Sequence, residues 1–259
     1  ERRTQLGLDD PLLIQYAHYL LDLLQGNLGQ SWLHGRSVGR MILEQLPPTA
    51  ALAIAATTVG VSLGLTLGTL AALRRSTWLD TTATAVAILG LSTPTYWSGI
   101  LAILLFSLHL GWLPATGGGD LQHLVLPALV LGFALSGSVA RLVRARVVEV
   151  IREPFVLAAR ARGLPSWRVL LVHVLRPALA PAITVVALQL GFLLGGAVVT
   201  ESVFARQGLG RLAIEAILWR DLPVVRGVVV FGALAYILTN LAADLMQIWL
   251  DPRLREELA

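Results

Sequence analysis

The chain has 259 residues, of which 56% are hydrophobic and only 14% charged, with a net charge of +4 and a mean hydropathy of +0.72. Soluble domains carry about 25% charged residues, so this composition excludes an ordinary water-soluble globule and places most of the chain in a nonaqueous medium. With no cysteine it also excludes disulfides and thiolate metal sites.

The sequence pI is near 10.3, but a nucleic-acid partner is not needed to explain it. All 20 basic residues are Arg, and they gather in particular connections, as positive charge does in the cytoplasmic loops of membrane proteins. Residues 1–10 are polar and lack the apolar core of a signal peptide. Residues 11–24 are apolar but too short to cross a bilayer, which takes roughly 20 residues. They predict an amphipathic, interfacial or packed helix. Five runs free of charged residues and His follow, at 47–73, 81–108, 124–140, 177–200 and 227–243, the last continuing past Asp244 to Leu250. Each can satisfy its backbone as a helix, as a lipid-crossing segment must. The predicted fold is therefore an all-α, polytopic transmembrane helical bundle.

The Arg distribution orients the spans. Arg74 and Arg75 lie in the first connection, and Arg141, Arg144, Arg146, Arg152, Arg160, Arg162, Arg168 and Arg176 lie in the 141–176 connection. The connection 109–123 has no Arg, and 201–226 is mixed. The positive-inside rule puts 74–80, 141–176 and the tail 251–259 in the cytoplasm. It leaves 1–46 as an extracytoplasmic segment and 47–250 as the transmembrane domain. An external start without a signal peptide implies one further span upstream, six in the intact chain against five visible here. Gly60, Gly64 and Gly68, and later Gly191 and Gly195, form smooth stripes that let helices approach closely, within the chain or at a subunit interface.

Catalytic chemistry is not evident. His18, His34, His109, His123 and His173 are scattered without metal spacing, and there is no Walker-type phosphate loop. The 141–176 connection is more informative. Pro154 suits the first position of a helix and Gly163 the residue just past its end. Pro165 prevents continuation, and Ser166 can cap a second helix ending near Pro177. A rigid basic helix over 154–162, about 13 Å long, is thus held between two spans. Ala158 and Ala159 permit close approach of another surface, Phe155 and Leu157 offer apolar anchors, and Arg160 and Arg162 supply charge. On local features alone the helix either lies on anionic lipid or docks on a partner. In the external connection 201–226, Gly208-Leu209-Gly210, Trp219, Arg220 and Asp221 predict a structured loop. Either Arg220 and Asp221 stand on a surface offered to an external partner, or the loop packs re-entrantly between the last two spans.

Leu157-Ala158-Ala159, followed by Gly163 and by His173-Val174-Leu175-Arg176-Pro177, resembles the cytoplasmic "EAA" loop of binding-protein-dependent ATP-binding-cassette importer permeases. Leu157 stands where that motif has Glu, and the terminal part is loose, as is usual in the peptide/nickel branch. Further pieces are similar to the same branch in order and spacing across nearly the whole chain. They are Leu6-Gly-Leu-Asp-Asp-Pro-Leu12, Leu28-Gly-Gln-Ser-Trp32, Ser92-Thr-Pro-Thr-Tyr-Trp97, Leu110-Gly-Trp-Leu-Pro-Ala115, Glu201-Ser-Val-Phe-Ala-Arg-Gln-Gly-Leu-Gly210, Arg220-Asp-Leu-Pro-Val-Val225, Asn240-Leu-Ala-Ala-Asp244 and Asp251-Pro-Arg253.

The resemblance implies a type I importer permease, the first of two permease subunits for dipeptides, oligopeptides or nickel and small chelates. Its implied partners are a second homologous permease subunit, two ATPase subunits, an extracytoplasmic substrate-binding protein and membrane lipid. ATP and Mg would sit on the ATPase subunits, with no cofactor on this non-catalytic chain. The coupling residues it implies are Glu153, Pro154, Phe155, Leu157, Ala158, Ala159, Arg160, Arg162, Gly163 and Leu164. A secondary transporter usually places ionisable residues at mid-membrane depth, and no charge interrupts the five runs. Gln189, Tyr236 and Asn240 are the notable polar groups inside them, read as ties between helices. A structural subunit of a membrane complex is the remaining alternative.

Overall fold

The computed structural model describes residues 11–250, with side chains through Met246. Motif residues 6–10, and the tail 251–259 with Asp251, Pro252 and Arg253, lie outside the described residues. Ten helices follow one another: α1 Leu12–Leu24, α2 Val38–Leu73, α3 Trp78–Ser92, α4 Thr95–His109, α5 Gln122–Val150, α6 Pro154–Ala161, α7 Ser166–Leu194, α8 Val198–Val203, α9 Leu209–Leu218 and α10 Leu222–Leu250. Among the described residues there is no strand, only an isolated bridge between Gln30 and Ser37. The predicted all-α fold is what is observed. Helices α2, α5, α7 and α10 are each long and apolar enough to cross a membrane, and α3 with α4 forms a fifth, broken passage.

The apolar runs locate the spans but not their ends. Helix α2 has 36 residues, about 54 Å at 1.5 Å per residue, against a hydrocarbon core of roughly 30 Å. It starts nine residues before the run at 47, so Pro47 and Pro48 lie inside it. Their missing N–H groups free the carbonyls of Leu43 and Glu44, on exposed residues near the helix start. Helix α5 likewise runs ten residues past Ala140 to Val150, carrying Arg141, Arg144 and Arg146 beyond the apolar run.

Three expectations need correction. The run 81–108 is not one straight helix: α3 and α4 meet at 103°. Pro94 is the cause, since the residue before a proline is pushed out of the helical region. Thr93 is accordingly extended, at φ −84° and ψ 123°. Second, the helix opened at Ser166 does not end near Pro177. Residues Val169–Leu175 take the wider π register, and Pro177 then falls in the first turn of the α segment Arg176–Leu194. Pro177, which has no N–H to donate, thus falls where the π register gives way to the α register within one continuous helix. Third, the run 177–200 ends as a helix at Leu194. Gly196, at φ +119°, turns the chain into α8.

Glycines set the packing. Gly60 lies against Gly132 and Leu135, Gly64 against Ser136 and Val139, and Gly68 against Ala140 and Val143. The first stripe is therefore an intrachain contact between α2 and α5. The numbers rise together, so these two helices are parallel and the chain between them must return once. The bent α3–α4 passage is that return, antiparallel to α5, with Gly90 on Phe133 and Gly137 on Ala87 and Leu91. Gly191 and Gly195 pack on Tyr236, Thr239 and Gly232, making α7 antiparallel to α10. Close backbone approach lets dispersion hold helices together where lipid supplies no hydrophobic drive. Large apolar side chains such as Ile54, Leu70, Ile88, Leu104, Phe192, Val229 and Leu238 are exposed around the bundle. In water so apolar a perimeter is a liability; in lipid it is the expected surface.

This alternation gathers the connections 74–77 and 151–165 and the end of α10 at one end of the bundle. The segments 25–37, 110–121 and 195–221 gather at the other.

Candidate functional site

At the first end, α6 stands between α5 and α7 as a separate rod. Glu153 holds the N-cap position in extended conformation (φ −64°, ψ 143°), and Pro154 follows as the first helical residue. At the other terminus the Arg162 N–H donates to the Ala158 carbonyl at 3.1 Å and the Gly163 N–H to the Arg160 carbonyl at 2.9 Å. Gly163 has φ +76°, the left-handed turn that glycine adopts without penalty. Both predicted boundary signals act as expected, and the eight-residue helix Pro154–Ala161 matches the predicted 154–162 to one residue.

Burial fixes the face. Val156 is 0% and Ala159 5% exposed, packed in one apolar cluster with Ala72 of α2, Val143 and Val147 of α5, and Val169 and Val174 of α7. Phe155, Leu157, Ala158, Arg160 and Arg162 are exposed, and Leu164 is partly buried. The two alanines thus part company. Ala158 opens outward as expected, whereas Ala159 is turned into the chain and cannot meet a partner directly. Beside the helix a cleft of about 400 Å³ opens between Leu73, Ile151, Arg160, Trp167 and Leu170. Beside it α3 is tied to α5: Arg144 on α5 grips Asp80 with two parallel bonds, at 2.8 and 2.9 Å. The Asp80 carboxylate also accepts the Ser76 N–H at 3.0 Å. A bidentate pair fixes orientation as well as distance, so the 74–77 turn and α3 are held in register with α5.

At the opposite end the sequence did not foretell a buried carboxylate. Glu201 is 0% exposed. It accepts the Thr49 hydroxyl at 2.7 Å and the Arg211 N–H at 3.1 Å, while the Thr49 oxygen accepts the Leu209 N–H at 2.8 Å. The Gly208 backbone lies directly on this carboxylate, leaving no room for a Cβ. Arg206 is 5% exposed and donates to the His123 carbonyl at 3.0 Å. Burial pulls its guanidinium below the ordinary value, opposed by the charge of Glu201. The Gln207-Gly208-Leu209-Gly210 run following Glu201 was the available signal, since two small residues flanking one Leu mark close backbone approach.

Arg220 is exposed, at φ +56°. Asp221 is 3% exposed; its carboxylate accepts the Ser31 hydroxyl at 2.5 Å and the Trp32 and Leu33 N–H groups at 3.1 and 3.3 Å. It therefore ties the 31–34 turn to the start of α10. Helix α1 has no buried residue, and Arg226 sits 5.2 Å over the Tyr19 ring. Among the described residues no group of three or more His, Asp or Glu is placed to hold a metal.

Four full spans, one broken passage and a short helix carried beyond one end of the bundle are the architecture of a multi-pass membrane protein. The chain belongs to the family of binding-protein-dependent transport system inner membrane components, whose sequence profile it matches over residues 64–256. It is a multi-pass permease of the ATP-binding-cassette importers. It is 40% identical over 253 residues to the glutathione transport system permease protein GsiC of Escherichia coli O6:H1, covering 98% of this chain and 83% of that one. It is 39% identical over 261 residues to a Brucella abortus (strain 2308) permease whose name assigns it provisionally to a peptide transport system, with the same coverage. The fold is similar to that of the MetNI methionine ABC transporter in an inward-facing conformation, with a TM-score of 0.69 at 20% identity over 82% of this chain and 96% of that one.

Proposed function

We propose that this chain forms half of the translocation pathway of an ATP-driven peptide importer and is coupled to its ATPase subunits through residues 153–164. The carrying observation is α6: a rod capped at both ends, anchored by Val156 and Ala159, with Phe155, Leu157, Ala158, Arg160 and Arg162 left outward. A push on those exposed side chains reaches α2, α5 and α7 through the cluster behind them, so the attached spans tilt together. The rod faces the cytoplasm, by the Arg count of the 141–176 connection. The two ATPase subunits, with ATP and Mg, dock there. A second homologous permease subunit covers part of the apolar perimeter.

On the far side a binding protein docks at the exposed Arg220; Asp221, being buried, shapes that surface through the 31–34 turn. Peptide cargo is favoured by the names of the similar permeases, one of glutathione and one of peptide transport; nickel has no such support. The test is uptake into proteoliposomes holding both permease subunits and the ATPase subunits. Peptide import that needs both ATP and the loaded binding protein is expected. Uptake driven by an ion gradient without ATP would contradict the reading.

A further inference from the structure

We propose that a polar cleft at the α9 end of the bundle is an entry subsite for the charged end of a peptide. This rests on the importer reading above and names the chemistry by which this chain itself meets the cargo. The cleft has a volume of about 220 Å³, and its walls are Gln45 of α2, Gln207 and Gly208, and Arg211, Leu212 and Glu215 of α9.

The composition of the lining is the first point. Two amides, one cation and one anion converge on a single hollow beside Leu212. Convergent polar groups of this kind are what fix the orientation of a small ligand in its site. The volume of the hollow is below the roughly 300–1,000 Å³ of sites that enclose a drug-sized ligand. It therefore fits one end of a peptide and not the whole.

The second point is that the hollow is preformed. Gly208 rests on the fully buried Glu201 carboxylate. Arg211 donates its backbone N–H to that carboxylate, and Leu209 donates to Thr49, which is itself bonded to Glu201. The floor is thus fixed to α2 before any ligand arrives, and binding need not order it.

The third point is the charge pair. Arg211 Nε donates to Glu215 Oε1 at 2.9 Å, and a terminal guanidinium nitrogen donates to the Ala205 carbonyl at 3.1 Å. Both side chains are about half exposed, at 42% and 53%, so the pair can open. A peptide terminus offers a carboxylate to Arg211 or an ammonium to Glu215, and its amide groups can bond the donors and acceptors of Gln45 and Gln207. A small zwitterion satisfies both charges at once, replacing one charge-assisted pair by two.

The experiment uses the assembled complex in proteoliposomes, saturating binding protein loaded with a peptide bearing free termini, and peptide imported per ATP hydrolysed as the readout. Arg211→Gln and Glu215→Gln are each expected to lower that ratio about tenfold, the scale of one lost charge-assisted hydrogen bond. The binding-protein concentration that half-stimulates ATP hydrolysis should stay unchanged. Gln207→Glu, outside the buried network, keeps the test open should Arg211→Gln fail to accumulate. Its added anion should lower the ratio several-fold for a peptide with a free C-terminus and less for the amidated peptide. A raised half-stimulating concentration with an unchanged ratio would mean that the cleft docks the binding protein, and would overturn the proposal; so would no change in either quantity. If the unsubstituted complex imports no peptide at all, the importer reading has failed, a result seen before any substitution is made.

Discussion

Thr49 and Glu201 are 152 positions apart in the sequence yet share a buried hydrogen bond. Removing the hydroxyl leaves both the carboxylate and the Leu209 N–H short of a partner. An unsatisfied buried group costs about 1–3 kcal/mol. Thr49→Val is therefore expected to lower the unfolding free energy in detergent by about that amount, and Thr49→Ser to restore most of it; equal behaviour of Val and Ser would contradict the network. Asp221 allows a pH test. Burial pushes its carboxyl up, but the Ser31 hydroxyl and the Trp32 and Leu33 N–H groups outweigh it, and the net shift is below the ordinary 3.8. A depressed native value adds stability above the unfolded value, and this is lost as pH falls through the lower native one. The gap in thermal midpoint between the natural chain and Asp221→Asn should stay constant above about pH 5 and close at pH values below 3.8. A gap that instead widens with acid would reverse the sign. Neither residue announces its partner in the sequence, because such pairing depends on how distant helices are brought together.

The existence of each span and the bounds of α6 were readable element by element; the ends of the long helices and the faces they bury were not. Pro154 and Gly163 bracket α6 as their chemistry requires, and the charge-free runs found every passage. The helices outrun those runs because backbone bonds continue into water wherever propensity allows, as Arg141 to Val150 in α5 do. The face of α6 was hidden because Ala158 and Ala159 differ only in which neighbour lies behind them. The bend at Pro94 was written in the sequence, yet apolarity alone cannot distinguish a straight span from a broken one. A prediction about the broken passage follows from the parallel packing of α2 and α5. If α3–α4 crosses the membrane, a cysteine replacing Trp112 and one replacing Arg75 should be labelled by impermeant reagent from opposite sides in sealed vesicles. Labelling from the same side would make the pair a re-entrant loop. The glycine stripe gives a second. A Cβ at Gly64 would stand 2.6 Å from the Val139 Cβ, so Gly64→Ala should destabilise the α2–α5 contact by roughly 1–3 kcal/mol, measured as a lowered thermal midpoint.

For the whole molecule, the account holds that force from ATP hydrolysis enters through the outer face of α6 and leaves as a tilt of α2, α5 and α7. Substitution at Ala159 would not separate this from an interfacial helix, because a larger side chain there disrupts the chain's own cluster. Ala158 is the decisive position, exposed between Phe155 and Arg162, which are exposed as well. On a helix lying on lipid a tryptophan would be tolerated, since aromatic residues suit that interface. On a helix seated in a partner groove it would overfill the contact. The direct measurement is ATPase-subunit co-purification together with ATP-dependent uptake in Ala158→Trp, with the amount of chain in the membrane held equal. The account predicts loss of co-purification or hydrolysis without uptake; full uptake with normal co-purification would contradict it.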